Sequence, residues 1–108
     1  MLACRAEAEM TDRELLEDAA KAAGYLPVRW DNDLEGMLLR GIQDPWNPLA
    51  DDGDALRLAV KLGLAIQTTP TESNAFRDDL QDNFVTHNGS DPYAATRRAI
   101  VRAAASLQ

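Results

Sequence analysis

The sequence predicts a mixed α/β domain of α+β character, built as a three-layer α/β/α sandwich with a mainly antiparallel sheet. Helix signals occur three times, at Asp12–Ala23, at Ala55–Leu62 and after Asp91. Between them lie short segments with the alternating pattern of half-buried strands, and these segments come in pairs. The predicted order is therefore α-β-β-α-β-β-α, with helices covering the hairpins.

The first predicted helix begins at a capping box. Thr11 and Glu14 have the Thr-x-x-Glu spacing in which each side chain accepts a hydrogen bond from an unpaired backbone N–H. Met10 and Leu15 occupy the two positions of a hydrophobic staple. Gly24 is expected to end the helix. The stripe predicted to face the core is Leu15, Leu16, Ala19, Ala20 and Ala23.

A hairpin is expected after this helix. Leu26, Val28 and Trp30 alternate with Tyr25, Pro27 and Arg29, a spacing that predicts a strand with one buried face. Pro27 cannot donate a backbone hydrogen bond, so this strand is expected either to lie at an edge or to begin after the proline. Met37–Arg40 is the predicted partner strand.

The second half repeats the helix and hairpin. Asp51, Asp52 and Asp54 precede the second helix and are expected to cap it. Its predicted inward residues are Leu56, Ala59, Val60 and Leu62. Leu64–Thr69 is the next predicted strand, with Leu64, Ile66 and Thr68 on one face. Pro70–Asn83 is polar and shows no period, so no strand is predicted before Phe84–His87.

Asp91 and Pro92 fit the cap and first turn of the last helix. Its predicted inner stripe is Tyr93, Thr96, Ile100, Ala103, Ala104 and Leu107. Arg97, Arg98 and Arg102 lie off this stripe, which predicts a solvated basic face. The domain is expected to cover residues 10–108, with 1–9 as a flexible extension. Met10 is then a second candidate for the natural start.

Charge and composition exclude several functions. The chain of 108 residues has 11 basic and 18 acidic side chains and a net charge of −7, which disfavours direct binding to nucleic acid or an anionic membrane. No apolar run reaches the roughly 20 residues of a membrane span. The single cysteine, Cys4, excludes an intramolecular disulfide. These features predict a cytoplasmic protein.

No pattern in the sequence predicts catalysis. His87 is the only histidine and has no nucleophile motif to serve, so it is expected to be a surface or strand residue. Cys4 is expected to be an unreactive thiol. The aspartates at 51, 52 and 54 could bind a hard cation, but the further ligands of a calcium loop are absent, which favours capping. No catalytic, cofactor-binding or metal-ligating residue is predicted.

Trp46 is the residue with the clearest binding interpretation. It lies in an irregular segment between two prolines, where it either fills the core or serves as an interface anchor. Trp30 has the same two interpretations. The candidate protein-binding residues are Trp46, Asn47, Asp51 and Asp52.

Three blocks of the chain resemble the phage ABA sandwich domain family. They are Met10–Gly24, Trp46–Leu64 and Asp91–Ala105, and the Trp-Asn-Pro element before the acidic helix start is the most specific. The resemblance implies an α/β/α sandwich encoded by a bacteriophage or prophage. It implies no activity and no catalytic residue.

Together these features predict a small acidic phage or prophage accessory protein in the cytoplasm of the bacterial host, not an enzyme, that binds a host or phage protein. One alternative is a counter-defence inhibitor, including a nucleic-acid mimic, which requires the acidic residues to form one face. The other is a structural or assembly component of the phage particle.

Overall fold

The computed structural model describes residues 11–79 and 83–108. It confirms a mixed α+β fold, consistent with the predicted sandwich, and has one strand more than predicted. The described elements are α1 (Asp12–Ala22), β1 (Pro27–Asp31), β2 (Gly36–Leu39), α2 (Asp52–Leu62), β3 (Ala65–Thr68), β4 (Glu72–Phe76), β5 (Phe84–His87) and α3 (Pro92–Ala105).

The ends of the helices follow the capping predictions. Thr11 Oγ1 accepts a hydrogen bond from the Glu14 N–H at 3.2 Å, and Glu14 Oε1 accepts one from the Thr11 N–H at 2.9 Å, which confirms the capping box. Asp51 caps α2 by accepting from the Asp54 N–H at 2.8 Å. Gly63 ends α2 in the left-handed conformation, at φ 67°. The predicted staple at Met10 lies outside the described residues, as do residues 1–9 with Cys4.

The first hairpin forms a two-stranded antiparallel sheet of its own. Pro27 begins the edge strand β1, as predicted, and a bulge follows between Pro27 and Arg29. Trp30 is half-buried; its indole N–H donates to Asn32 Oδ1 at 2.9 Å, and the Arg13 guanidinium lies 5.6 Å from its ring centre. The prediction of a buried face was wrong for the start of this segment, because Leu26 and Val28 are 58% and 63% exposed.

Trp46 extends this sheet on the side of β2. Met37 and Trp46 exchange two backbone hydrogen bonds of 2.8 and 2.9 Å. A Cβ on Gly36 would lie 2.7 Å from Pro45 Cβ, so the close approach of this segment requires glycine at position 36. The Trp46 side chain is 7% exposed and packs edge-on against Tyr25, with ring centres 5.8 Å apart.

The second sheet has three strands in the order β3-β4-β5, both pairs antiparallel. The predicted second hairpin, Leu64–Thr69 with Phe84–His87, was wrong, because β4 lies where Pro70–Asn83 gave no strand signal and pairs with both β3 and β5. The strands therefore form two separate antiparallel sheets. Ser73 and Ala75 are buried on β4, so the strand does alternate. Its buried face consists of a polar residue, Ser73, and a small one, Ala75, which together give no apolar pattern in the sequence.

Helix α3 lies at the centre of the fold and packs against α1, α2, β4 and β5. Thr96 contacts Ser73 of β4, with the two hydroxyl oxygens 2.8 Å apart. Ala99 and Ala103 follow Thr96 on the same helical face and are buried. Their small side chains let the helix approach the small residues of β4 closely, which explains the alanine-rich sequence of α3.

The three arginines of α3 do not form a solvated face, contrary to prediction. Arg97 Nη1 lies 2.6 Å from Asp52 Oδ1 of α2, and Arg98 Nη2 lies 3.0 Å from Asp12 Oδ1 of α1. Arg102 Nη1 donates to the Val85 carbonyl of β5 at 2.6 Å. Each arginine therefore links α3 to a different neighbouring element.

The core is formed by one face of each helix together with Met37, Leu39, Trp46 and Phe84. The predicted buried stripe of α1 is confirmed, from Leu15 to Ala23. Three other inward predictions were wrong: Leu56 and Val60 of α2 are 59% and 73% exposed, and Tyr93 of α3 is 69% exposed. None of the described helices is long and apolar enough to cross a membrane.

Candidate binding groove

Two of the apolar residues wrongly predicted to be buried, Leu56 and Tyr93, line a groove between α2, α3 and the edge strand β3. Leu56 contributes from α2, Ile66 from β3 and Tyr93 from α3, around a cavity of about 440 Å³. Ile66 is 38% exposed. Apolar side chains gathered at one exposed concave surface are typical of binding sites, because their exposure to water is unfavourable. We call this feature the α2–β3 groove.

The α2 wall of the groove exists because α2 buries only a narrow stripe. Ala55, Leu58 and Ala59 are buried, and α2 packs mainly on α3. Leu56 lies on the flank of that stripe, and Val60 follows one turn later on the same flank. This flank is not covered by α3, and its Leu56 shares the cavity with Ile66 of β3.

The β3 wall is an open sheet edge. All four residues of β3 are exposed, and only β4 pairs with it among the described strands. The Thr69 N–H donates to the Glu72 carbonyl at 2.9 Å, which sets the alternation of the ladder. Because antiparallel pairs alternate between bonded and non-bonded, Ile66 and Thr68 turn their N–H and C=O groups towards the open edge.

A buried polar network contacts two residues that line the groove, Thr69 and Thr96. Ser73 Oγ donates to Asn88 Oδ1 at 3.0 Å, and Asn88 Nδ2 donates to the Thr69 carbonyl at 2.8 Å. Ser73 and Asn88 are 1% and 9% exposed. The network joins the turn after β3 to the residues before α3, and so holds the groove walls in a fixed relation.

One end of the groove carries charged groups. Asp52 and Arg97 both line the cavity and form an ion pair there. Arg97 Nε also donates to the Leu49 carbonyl at 2.8 Å, which fixes the guanidinium. Behind this pair, Arg57 Nη2 lies 2.8 Å from Asp54 Oδ1, and this hydrogen bond raises the pKa of Arg57.

The predicted binding residues occupy different positions around this end. Asn47 is structural: its Nδ2 donates to the Glu35 carbonyl at 2.9 Å, and its N–H donates to Asp54 Oδ2 at 3.0 Å. Asp51 caps α2, and the Trp46 side chain points into the core. Of the four predicted residues, Asp52 alone lines the groove. Protein binding by this set stays a prediction.

His87, Arg77 and Asp79 do not line the groove. His87 is exposed on β5. A hydrogen bond from Arg77 lowers the pKa of Asp79, and the same contact raises the pKa of Arg77. Within residues 11–79 and 83–108, no three His, Cys, Asp or Glu side chains come together as a candidate metal site.

The comparisons with known proteins do not add a relative. No family model matches the chain, and neither a curated protein nor a solved structure matches it. The resemblance to the phage ABA sandwich domain family therefore stays a prediction based on the three sequence blocks.

Proposed function

We propose that this chain is a small, non-catalytic accessory protein of a phage or prophage that acts in the cytoplasm of the bacterial host by binding another protein through the α2–β3 groove. The observation that carries the proposal is the exposure of Leu56, Ile66 and Tyr93 around one cavity. A large aromatic side chain and aliphatic neighbours are the residue types that anchor protein interfaces.

Charge supports a protein partner over a role as a nucleic-acid mimic. Carboxylates from separate parts of the chain are paired with arginines: Asp12 with Arg98, Asp31 with Arg29, Asp52 with Arg97, Asp54 with Arg57 and Asp79 with Arg77. A mimic of DNA needs unpaired negative charges in a regular array. Pairing spread over five places works against such an array.

A capture experiment with matched variants tests the proposal. The immobilised full chain is exposed to lysate of phage-infected bacteria, next to Leu56→Asp in the groove and Val28→Asp on β1. Both substitutions place one charge at a site about 60% exposed, and Val28 is remote in the chain on the other sheet. A protein retained by the wild type and Val28→Asp, and reduced at least about tenfold by Leu56→Asp, is the expected result.

Two results would contradict the proposal. One is retention of nothing beyond background by the wild-type chain. The other is equal retention by the two aspartate variants, which would place the binding surface away from the groove. Circular dichroism of both variants verifies that each is folded.

A further inference from the structure

The chemistry of the groove also indicates what form its ligand takes. We propose that the partner supplies an extended segment that adds to β3 as an antiparallel fourth strand, with apolar side chains at alternate positions and a Lys or Arg near its N-terminal end. This inference rests on the proposed function and specifies the ligand of the same site.

The backbone of β3 is suited to strand addition. Ile66 and Thr68 direct two N–H donors and two carbonyl acceptors to an edge that no described strand occupies. Natural edge strands are usually protected by charges, proline or a bulge. Ala65–Thr68 has no charged residue, no proline and an unbroken register with β4. An extended peptide is the ligand that satisfies such an edge.

The position of α2 leaves room for the added strand. Because α2 packs mainly on α3, the Leu56 flank of α2 stays exposed at the cavity that Ile66 of β3 also lines. Side chains of an added strand that lie on the same sheet face as Ile66 would face this flank. Successive side chains of a strand alternate between faces, so every second residue of the ligand would be apolar.

Charge complementarity selects a basic segment over a second copy of this chain. Only Gly63 and Leu64 connect α2 to β3, so the start of α2 lies beside the end of β3, and Asp52, Thr68 and Thr69 line the same cavity. Asp52 and Arg97 line this end, Asp51 and Asp54 belong to the start of α2 with Arg57 paired to Asp54, and Asp91 caps α3 next to Pro92 of the cavity wall.

The end stays negative even when the N-termini of α2 and α3 are counted as about half a positive charge each. A second copy would bring the same carboxylates and a further net charge of −7. An antiparallel strand begins where β3 ends, so its first residues would lie beside Asp52. A Lys or Arg there is attracted, and an acidic residue is repelled.

A labelled peptide tests the inference on the full chain. The probe is an acetylated peptide, Lys-Arg-Val-Thr-Ile-Thr-Val, with a fluorophore at its C-terminus, and binding is measured by anisotropy. The decisive variant is Thr68→Pro, because proline removes an N–H that faces the open edge and leaves the β3–β4 ladder intact. Thr68→Val is the matched control, since it alters the side chain and keeps the N–H.

Strand addition predicts that Thr68→Pro weakens peptide binding at least about tenfold, while Thr68→Val stays within about threefold of the wild type. A peptide with Glu-Glu in place of Lys-Arg should also bind at least about tenfold more weakly. Amide hydrogen exchange on the wild type gives a test without substitutions, because the Ile66 and Thr68 N–H groups should exchange more slowly when the peptide is bound.

Equal binding by Thr68→Pro and the wild type would overturn the inference, as would no binding at about 1 mM peptide. So would a wild-type dimer that Thr68→Pro dissociates, since a second copy would then occupy the edge. If the protein captured in the previous experiment is still retained by Thr68→Pro, the groove binds through side chains alone. The proposed function would then stand without strand addition.

Discussion

The two sheets of this protein differ in how far their edges are protected. In the two-stranded sheet, Trp46 covers β2 with backbone hydrogen bonds, and β1 has a proline, a bulge and the pair of Arg29 and Asp31, whose atoms lie 3.6 Å apart. In the three-stranded sheet, Arg102 binds the outward carbonyl of Val85 on β5. The other edge of that sheet, β3, has no comparable protection within the described chain.

This difference shows that the lack of protection is confined to β3, and that the other sheet edges are protected as in most natural proteins. Three of the four sheet edges carry features that block pairing with other chains. The edge without them lies beside exposed apolar groups of two helices. Unpaired backbone groups and exposed apolar side chains are both unfavourable, and their occurrence at one place favours a ligand there.

The largest loss of stability is expected at Trp46, which covers the edge of β2. Trp46→Ala should lower the free energy of unfolding by about 3–5 kcal/mol, because it empties a buried site that packs against Tyr25. Urea denaturation measures the change. A loss below about 1 kcal/mol, together with loss of the captured partner, would instead indicate that Trp46 acts in recognition.

An intermediate loss of stability is expected at Ser73 of β4, the strand next to the open edge. Ser73→Ala removes the donor to Asn88 Oδ1 and leaves that buried oxygen with one hydrogen bond fewer. The expected loss of stability is about 1–3 kcal/mol. Gln67→Ala, at an exposed position of β3, is the control and should change stability by less than about 0.5 kcal/mol. Similar small effects for both variants would show that the network does not stabilise the groove.

The smallest effect concerns the surface pair at the end of β4. Arg77→Gln should raise the pKa of Asp79 towards the ordinary aspartate value, because it removes the hydrogen bond that lowers it. Since the folded-state pKa is lowered, the pair stabilises the wild type above the ordinary aspartate pKa. That contribution is lost as the pH falls through the folded-state value. NMR titration of the Asp79 carboxyl carbon measures this pKa in the wild type and in Arg77→Gln. An unchanged pKa would show that Arg77 does not cause the shift.

The sequence was sufficient to predict elements whose signals are local. The capping box at Thr11 and the helix starts at Asp51 and Asp91 depend on side chains within three residues. It was insufficient for β4, because Ser73 and Ala75 were selected by close packing against α3, and that contact joins distant parts of the chain.

The groove was not predictable for a related reason. Leu56, Ile66 and Tyr93 fit the apolar stripes of their own elements, and nothing local distinguishes an apolar residue on the buried face from one on the flank. The structure decides between them through the angle at which each helix packs. Asp52 is the one groove residue that also belonged to the predicted site, and its signal came from its place at a helix start.

The central position of α3 has a consequence for the order of events during synthesis. Because α1, α2 and the three-stranded sheet all pack on α3, the last of the described elements along the chain, the preceding elements lack their shared packing partner until α3 is made. A nascent chain stalled before Pro92 would remain sensitive to proteases, and emergence of α3 from the ribosome would allow these elements to pack together.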